Sequence, residues 1–227
     1  KGKAGSPYAI KDYYDVDPDL ADDVPNRMAE FEDLIRRTHA AGLKAIIDFV
    51  PNHTARQYHS DVKPAGVIDL GETDNKNQAF SPQNNYYYIP DTPLQPSFNV
   101  EGYTEFPAKA TGNDQFTATP EFDWYETVKL NYGVNYVEGG QKHVDPIPDT
   151  WYKMVDILLY WAAKEVDGFR VDMAEMVPVE FWGWAIPQVK KKYPKIIFIA
   201  EVYQPAEYRN FICNGKFDYL YDKVGLY

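Results

Sequence analysis

The sequence predicts an α/β fold: a parallel β-sheet whose strands alternate with helices, interrupted by one long insertion. Apolar runs of strand length alternate with amphipathic stretches of helical length. The runs are rich in Ile, Val and Phe, as strands of parallel sheets are. Residues 54–148 follow neither periodicity and are rich in Pro, Asn, Asp, Gly and Tyr. We therefore expect a helix-covered sheet with an inserted subdomain.

Helices are predicted where apolar residues recur at helical spacing. The first covers about Pro25–Ala41 and the second Asp149–Val166. The third covers about Val179–Tyr193 and ends in three lysines, which is favourable at a helix C-terminus. Pro187 inside it predicts a kink or a division. A short fourth helix is predicted near Pro205–Cys213.

Strands are predicted at four short apolar runs. The first is expected to be buried and parallel. The four predicted strands are Leu43–Val50, Asp167–Met173, Lys195–Val202 and Phe217–Asp222.

The predicted domain organisation has three parts. Residues 1–53 and 149–227 belong to the strand–helix domain, and residues 54–148 form the inserted subdomain. At roughly 30 residues per βα unit, the first two parts hold about four units, half of what an eight-stranded barrel needs. The insertion contains eight tyrosines, and most of them are expected to build its small core rather than to contact a ligand.

The composition limits the partners. A formal net charge of −11 argues against nucleic acid, because a phosphate-binding face needs clustered Lys and Arg. No run approaches the roughly 18 apolar residues of a membrane span. The aromatic content of 16% suits sugar binding or packing. The compartment stays open, with an extracellular or periplasmic one slightly favoured.

Polar side chains fall at the ends of successive predicted strands, where active groups of parallel α/β sheets lie. Asp48 and His53 follow the first strand, and Glu201 ends the third. Arg170 and Asp172 are two residues apart on the second, so they share one face.

This pattern predicts paired carboxyl chemistry. The guanidinium of Arg170 is expected to lower the pKa of Asp172 and keep it ionised, as a nucleophile requires. Glu201 has no cation next to it in sequence, so its pKa is expected to rise and leave it protonated. One ionised and one protonated carboxyl is the arrangement of glycoside hydrolases. The alternative for Arg170 and Asp172 alone is a structural ion pair.

Three motifs resemble those of the α-amylase family of glycoside hydrolases (family 13): "DFVPNH", "GFRVD" and "FIAEV". The segment "SPYAIKDYYDVDP" is also similar to one in the family. The resemblance implies part of a TIM (β/α)8 barrel, about strands 3 to 6, with the inserted B domain after strand 3. It also implies a retaining mechanism on α-glucosidic bonds of starch-like glucans or malto-oligosaccharides.

The resemblance implies the following roles. Asp172 would be the nucleophile and Glu201 the general acid/base. Arg170 would orient Asp172, and Asp48 would support the site through Arg170. Substrate would be bound by His53, by hydrogen bonding, and by Tyr8, by stacking; a packed loop aromatic is the alternative for Tyr8.

Several positions depart from the family pattern. Glu175 and Met176 stand where many amylases have a Lys-His pair, so the leaving-group preference is open. In calcium-dependent members, the Asn matching Asn52 ligates calcium together with an Asp, at whose position the stretch "TVKLN" has Lys129. An ammonium there would repel calcium, so no metal or other cofactor is expected.

The family's fourth motif, Asn-His-Asp, is absent from the sequence. We therefore expect the chain to be a piece of a longer enzyme. Alone, it is expected to be inactive, and its exposed barrel edges are expected to bind the remainder of the barrel or a second copy.

Three alternatives remain open. A glucanotransferase of the same family would use the same residues with a sugar acceptor. A non-catalytic binding domain, such as the amylase-like ectodomains of amino-acid transporter heavy chains, has typically lost catalytic residues. An unrelated barrel with a metal site is disfavoured because the four histidines lack ligand spacing.

Overall fold

The computed structural model describes residues 5–221. They form two compact units, each built from several chain segments. The first unit comprises residues 5–11, 52–60 and 65–153, and the second comprises residues 12–51, 61–64 and 154–221. The boundaries predicted above for the inserted subdomain stay a prediction.

The regular elements follow in chain order. The helices of four or more residues are α1 Arg27–Ala40, α2 Asp149–Ala162, α3 Val179–Lys192 and α4 Tyr208–Cys213. The strands are β1 Ile46–Phe49, β2 His53–Ala55, β3 Tyr88–Ile89, β4 Ala108–Lys109, β5 Thr127–Lys129, β6 Val134–Asn135, β7 Gln141–Lys142, β8 Gly168–Val171, β9 Ile197–Glu201 and β10 Tyr219–Tyr221.

The second unit contains a four-stranded sheet in the order β1-β8-β9-β10, and all neighbouring strands are parallel. Helix α3 connects β8 to β9, and α4 connects β9 to β10. This alternation confirms the predicted α/β class. All four predicted strands occur within their predicted ranges, and Asp222 of the fourth lies outside the described residues.

One expectation about these elements is wrong. Strand β1 is not buried throughout: Phe49 is 3% exposed, but Ile46 is 41% exposed. The reason is that β1 is an edge strand among the described strands and pairs only with β8 there. Helix α3 continues through Pro187 without division, and a kink there stays a prediction. Proline removes one helical N–H, and a single missing hydrogen bond does not separate a helix whose apolar face is otherwise buried.

The second helix ends earlier than predicted, at Ala162 instead of Val166. Glu165 adopts a left-handed backbone conformation with φ 66°. A non-glycine residue in that conformation cannot continue a right-handed helix. The turn it makes leads directly to β8, which begins at Gly168.

Aromatic packing fixes the sheet of the second unit. Phe169 and Phe198 stand side by side on β8 and β9, are fully buried, and have ring centroids 5.4 Å apart. Trp182 of α3 is also fully buried and meets Phe49 of β1 edge-on at 6.5 Å. Burial of such side chains stabilises by about 2–3 kcal/mol each. The strand ends are therefore held on a rigid support.

The first unit has three two-stranded antiparallel sheets: β2 with β5, β3 with β4, and β6 with β7. Tyr86, Tyr87, Tyr88 and Tyr132 are each at most 4% exposed. The hydroxyl of Tyr87 donates to the backbone carbonyl of Val134 at 2.7 Å, so burial leaves it satisfied. Four of the eight tyrosines between residues 54 and 148 are thus buried in this unit.

Among residues 5–221, no helix is long and apolar enough to cross a membrane.

Candidate active site

Four charged side chains meet at one edge of the parallel sheet in the second unit. Asp48 lies on β1, Arg170 on β8, Asp172 directly after β8, and Glu201 at the end of β9. In the register, Asp48 is opposite Arg170 and Arg170 is opposite Ile199. Because parallel strands end at the same edge, their terminal side chains converge. We call these four residues the strand-end cluster.

Arg170 is the centre of the strand-end cluster. Its Nη1 donates to Asp172 Oδ1 at 3.0 Å and to Asp48 Oδ1 at 3.1 Å. Its Nη2 lies 2.7 Å from Glu201 Oε1. The guanidinium also lies over the ring of Tyr221, 5.5 Å from its centroid. Burial opposes the charged form, but Glu201, Asp48 and Asp172 together raise the pKa of Arg170. One permanent cation therefore holds three carboxyl groups.

Glu201 has no cation next to it in sequence, but Arg170 lies beside it in the fold. The two residues are 31 positions apart in the chain, but β8 and β9 are hydrogen-bonded neighbours. Glu201 is only 2% exposed, so the arginine is needed to compensate a buried carboxylate. The sequence could not reveal this contact because it depends on the pairing of strands.

The direction of the pKa shift of Asp172 is also opposite to the one expected. Burial and the neighbouring Glu201 carboxyl raise the pKa of Asp172 to about 6, although Arg170 opposes this. A side-chain hydrogen bond between the two carboxyl groups contributes to the increase. Asp172 therefore keeps its proton to a higher pH than an ordinary aspartate, as happens when two carboxyl groups lie close together.

Further groups fix Glu201. The backbone N–H of Met173 donates to Glu201 Oε2 at 3.0 Å, and the hydroxyl of Tyr203 donates to Glu201 Oε1 at 2.5 Å. Met173 has a left-handed φ of 45°, a strained conformation for a residue with a side chain. Such strain clusters at functional sites, where neighbouring structure enforces it.

Sequence reasoning missed Tyr203 as a site residue. It follows Glu201 by two positions, and extended chains place residues i and i+2 on the same face. That spacing is the signal that could have identified it. Glu175 stands where many family members have a lysine, and the sequence left its role open. Its Oε2 accepts hydrogen bonds from the backbone N–H of Tyr203 at 3.1 Å and of Gln204 at 3.2 Å.

The other predicted site residues, Tyr8, Asn52 and His53, belong to the first unit. His53 is 3% exposed, and its ring lies 5.4 Å from that of Trp124. Burial and the ammonium of Lys129 lower the pKa of His53 to about 4, although a hydrogen bond to the backbone of Tyr8 opposes this. His53 is therefore neutral at pH 7. Tyr8 is 38% exposed and is not a buried packing residue.

Lys129 lies on β5 opposite His53 of β2. It is 2% exposed, and its Nζ donates to Asn52 Oδ1 at 2.5 Å. Asp114 Oδ2 lies 3.5 Å from the same nitrogen. Burial lowers the pKa of Lys129, and Asp114 opposes this. The amide of Asn52 also donates to the carbonyl of Gly112 at 2.9 Å, so its side chain is fully engaged within the unit.

Neither unit offers an evident metal centre. Within residues 5–221, no group of three or more His, Cys, Asp or Glu side chains is arranged to hold a metal ion.

A parallel α/β sheet with an arginine-bound carboxyl pair at its strand ends defines an enzyme-like site, and comparison with known proteins identifies the family. The family model for the alpha amylase catalytic domain matches residues 3–208. The chain therefore belongs to the alpha-amylase family, and its parallel sheet is of TIM-barrel type.

Individual relatives agree with this assignment. Alpha-1,4-glucan:maltose-1-phosphate maltosyltransferase of Cereibacter sphaeroides is 25% identical over 210 residues, which cover 88% of this chain and 25% of that protein. Alpha-amylase 3 of Dictyoglomus thermophilum is 26% identical over 211 residues, covering 88% and 34%. The crystal structure of an alpha-amylase from Lactobacillus plantarum is 27% identical with a TM-score of 0.56, covering 95% and 37%. The chain thus spans about a quarter to a third of these relatives' length.

Proposed function

We propose that this chain carries the nucleophile and the general acid/base of a retaining glycoside hydrolase that acts on α-glucosidic bonds of starch-like glucans or malto-oligosaccharides. The observation that carries the proposal is the strand-end cluster, in which Arg170 binds both Asp172 and Glu201 while burial and Glu201 raise the pKa of Asp172 to about 6. The double displacement needs Asp172 ionised and Glu201 protonated, and two carboxyl groups this close can share one proton.

In this mechanism, Asp172 attacks the anomeric carbon while Glu201 protonates the departing glycosidic oxygen. The covalent glycosyl–enzyme bond is then broken by water, from which Glu201 takes a proton. Arg170 keeps Asp172 aimed and, with Asp48 on its other side, is itself held in place. The hydrogen bond between the two carboxyl groups would be replaced by the glycosidic oxygen when substrate enters.

The first unit would contribute substrate contacts. The single N–H of a neutral His53 is donated to the backbone of Tyr8, so a sugar hydroxyl would have to replace that contact to accept its hydrogen bond. Tyr8, with its ring partly exposed, can stack on a sugar face. The stretch from Thr54 to Pro148 would be the family's B domain, inserted after barrel strand 3, and β1, β8, β9 and β10 would be strands 3 to 6.

We propose that catalysis needs no calcium beside Asn52. The support is chemical: the oxygen that would ligate the ion already accepts a hydrogen bond from the buried ammonium of Lys129. A calcium ion at this place would face that positive charge. Activity that is unchanged after exhaustive treatment with a chelator is the expected result, and activity restored only by added calcium would contradict it.

A transferase of the same family is the second candidate. The observation that favours it is the match to alpha-1,4-glucan:maltose-1-phosphate maltosyltransferase over 88% of this chain. Both candidates use the same carboxyl pair and differ in the acceptor. Product analysis with and without added maltose separates them, because a transferase elongates the added sugar while a hydrolase leaves it unchanged.

The test compares Asp172→Asn and Glu201→Gln with the parent, in the full-length gene product and in the 227-residue chain. In the full-length protein, each substitution should lower turnover of maltotetraose about 10³-fold or more while circular dichroism stays unchanged. Near-parental turnover of either variant would contradict the assignment.

The 227-residue chain alone is expected to be inactive and to self-associate. Its outer strands expose apolar side chains, with Ile46 on β1 41% exposed and Tyr219 on β10 59% exposed. Such surfaces are normally covered by further strands or by another chain. Substantial turnover by the chain alone, as a monomer in sedimentation, would contradict this expectation.

A further inference from the structure

We propose that Tyr203 and Glu175 are positioning residues that hold Glu201 in its proton-donating geometry and set its acidity. The inference rests on the proposed function, since it assigns Glu201 the acid/base role. Neither residue is one of the carboxyl pair, and both belong to the second unit.

The first step is the contact between Tyr203 and Glu201. The phenol donates to Oε1 at 2.5 Å, a length typical of a strong hydrogen bond to a carboxyl oxygen. The same oxygen lies 2.7 Å from Arg170 Nη2, while Oε2 accepts from the backbone of Met173. Three donors from three directions leave the Glu201 carboxyl little rotational freedom.

The second step is the anchoring of Tyr203. It follows the last residue of β9 by two positions, in a segment without regular structure that ends at Pro205. Such a segment would let the phenol move unless its backbone is fixed. Glu175 supplies the fixation, because one of its carboxylate oxygens accepts from the backbone N–H of both Tyr203 and Gln204.

The third step connects the two carboxyl groups through the chain. Glu175 is three residues after Asp172, in the 3-10 turn Ala174–Met176 that follows Met173. The loop after the nucleophile strand therefore binds the loop after the acid/base strand twice, through Met173 to Glu201 and through Glu175 to Tyr203. A shift of one loop is transmitted to the other, so the spacing of the carboxyl pair depends on both contacts.

This arrangement predicts how the acidity of Glu201 responds. A hydroxyl that donates to a carboxylate favours its charged form and lowers its pKa. Loss of the Tyr203 hydroxyl should therefore raise the pKa of Glu201. The alkaline limb of kcat/KM, which reports deprotonation of the acid in the free enzyme, should then move to higher pH.

The test uses Tyr203→Phe in the full-length gene product, with Tyr193→Phe as matched control. Tyr193 is also a half-buried tyrosine of the second unit and directly follows α3. Tyr203→Phe should shift the alkaline limb upward by about one pH unit. It should also lower kcat/KM about 10-fold for maltotetraose but less than about 2-fold for a 2,4-dinitrophenyl α-maltoside, whose leaving group needs no proton. Tyr193→Phe should change neither quantity.

A second pair of variants tests the anchor and guards against a folding defect. Glu175→Gln retains an oxygen that can accept from the two backbone N–H groups, whereas Glu175→Ala removes it. The alanine variant should reproduce the leaving-group dependence of Tyr203→Phe, and the glutamine variant should restore most of the lost activity.

The outcomes separate this inference from the proposed function. Loss of activity in Glu201→Gln, combined with an unchanged alkaline limb and equal effects on both substrates in Tyr203→Phe, would overturn only the positioning role. Retained activity in Glu201→Gln would overturn the proposed function and the inference with it.

Discussion

The strand-end cluster of the second unit and a buried cluster of the first unit use the same chemical groups with opposite charge balance. At the strand ends, one arginine meets three carboxyl groups, Asp48, Asp172 and Glu201. In the first unit, one carboxylate, Glu105, meets two cations, Arg56 at 2.7 Å and Lys109 at 3.6 Å. We call Arg56, Glu105 and Lys109 the Glu105 cluster.

Both carboxylate oxygens of Glu105 accept hydrogen bonds. Oε1 accepts from Arg56 and from the backbone of Lys109, and Oε2 accepts from the hydroxyl of Tyr103 at 2.6 Å. Its side chain is 6% exposed. A buried carboxylate with donors on both oxygens holds chain segments together.

The strand-end cluster has too few cations for its carboxyl groups. The excess negative charge raises the pKa of Asp172 to about 6, so this cluster can retain a proton. The comparison teaches that charge balance distinguishes the two clusters. Burial alone does not, because Glu201 is as deeply buried as Glu105.

Among the variants that test the comparison of the two clusters, the largest effect is expected from Arg170→Met. Without the guanidinium, the neighbouring carboxyl groups repel one another, and the pKa of Asp172 rises further, so less nucleophile is ionised at pH 7. We expect kcat/KM on maltotetraose to fall about 10²- to 10³-fold in the full-length protein.

Arg209→Met is the control for this change, because Arg209 is an exposed arginine of α4 in the same unit. It should leave the rate within about two-fold of the parent. Equal losses in both variants would show that the loss of a positive charge anywhere in the unit matters, and the comparison of the clusters would fail.

Glu105→Gln should act on stability. It leaves Arg56 and Lys109 buried without their carboxylate, and the cost of such unpaired charge is about 3 kcal/mol. Urea denaturation measures the free energy of unfolding directly. Glu121→Gln, at an exposed position of the same unit, should change it by less than about 0.5 kcal/mol. An unaltered midpoint in Glu105→Gln would indicate that this cluster is dispensable for the fold.

Asp172→Asn should change the free energy of unfolding less than Glu105→Gln does, and it should increase that free energy. The pKa of Asp172 is about 6 in the folded protein, above the ordinary aspartate value of 3.8 that holds in the unfolded chain, so the folded state binds the proton more tightly. That stabilisation is complete below about pH 4 and is lost as the pH rises through 6. The inactive Asn variant should therefore be about 1–2 kcal/mol more stable than the parent at pH 7.5.

The pH series supplies the control for that prediction. Below pH 4, where Asp172 is protonated in both states, the parent and Asp172→Asn should unfold at the same urea concentration. A variant that is less stable than the parent at every pH would indicate that Asp172 contributes to the fold in the way Glu105 does.

Much of the second unit could be predicted from the sequence. Strand alternation alone made Arg170 and Asp172 neighbours, and a hydrogen bond of 3.0 Å joins them. The apolar runs located every strand of its sheet, because hydrophobic periodicity is a local property. The resemblance to the family implied a position beside Asn52 for Lys129, and the structure has the two side chains in contact at 2.5 Å.

Contacts that depend on strand pairing could not be predicted. Glu201 has no cation next to it in sequence, yet β8 and β9 bring Arg170 to it. The pKa of Asp172 was expected to fall because Arg170 is its sequence neighbour. Its burial and its closeness to Glu201, which raise the pKa, depend on the tertiary structure. The two hydrogen bonds of Glu175 to the loop after β9 also depend on the tertiary structure.

The central claim is that Asp172 of the strand-end cluster is the nucleophile. A 5-fluoro-α-glucosyl fluoride reacts with retaining α-glucosidases and leaves a slowly hydrolysed glycosyl ester on the nucleophile. The full-length protein, inactivated with this reagent and digested, should give one labelled peptide by mass spectrometry, with the added mass on Asp172. A label on Asp48, Glu201 or any other residue, in a protein whose activity the reagent abolishes, would contradict the account.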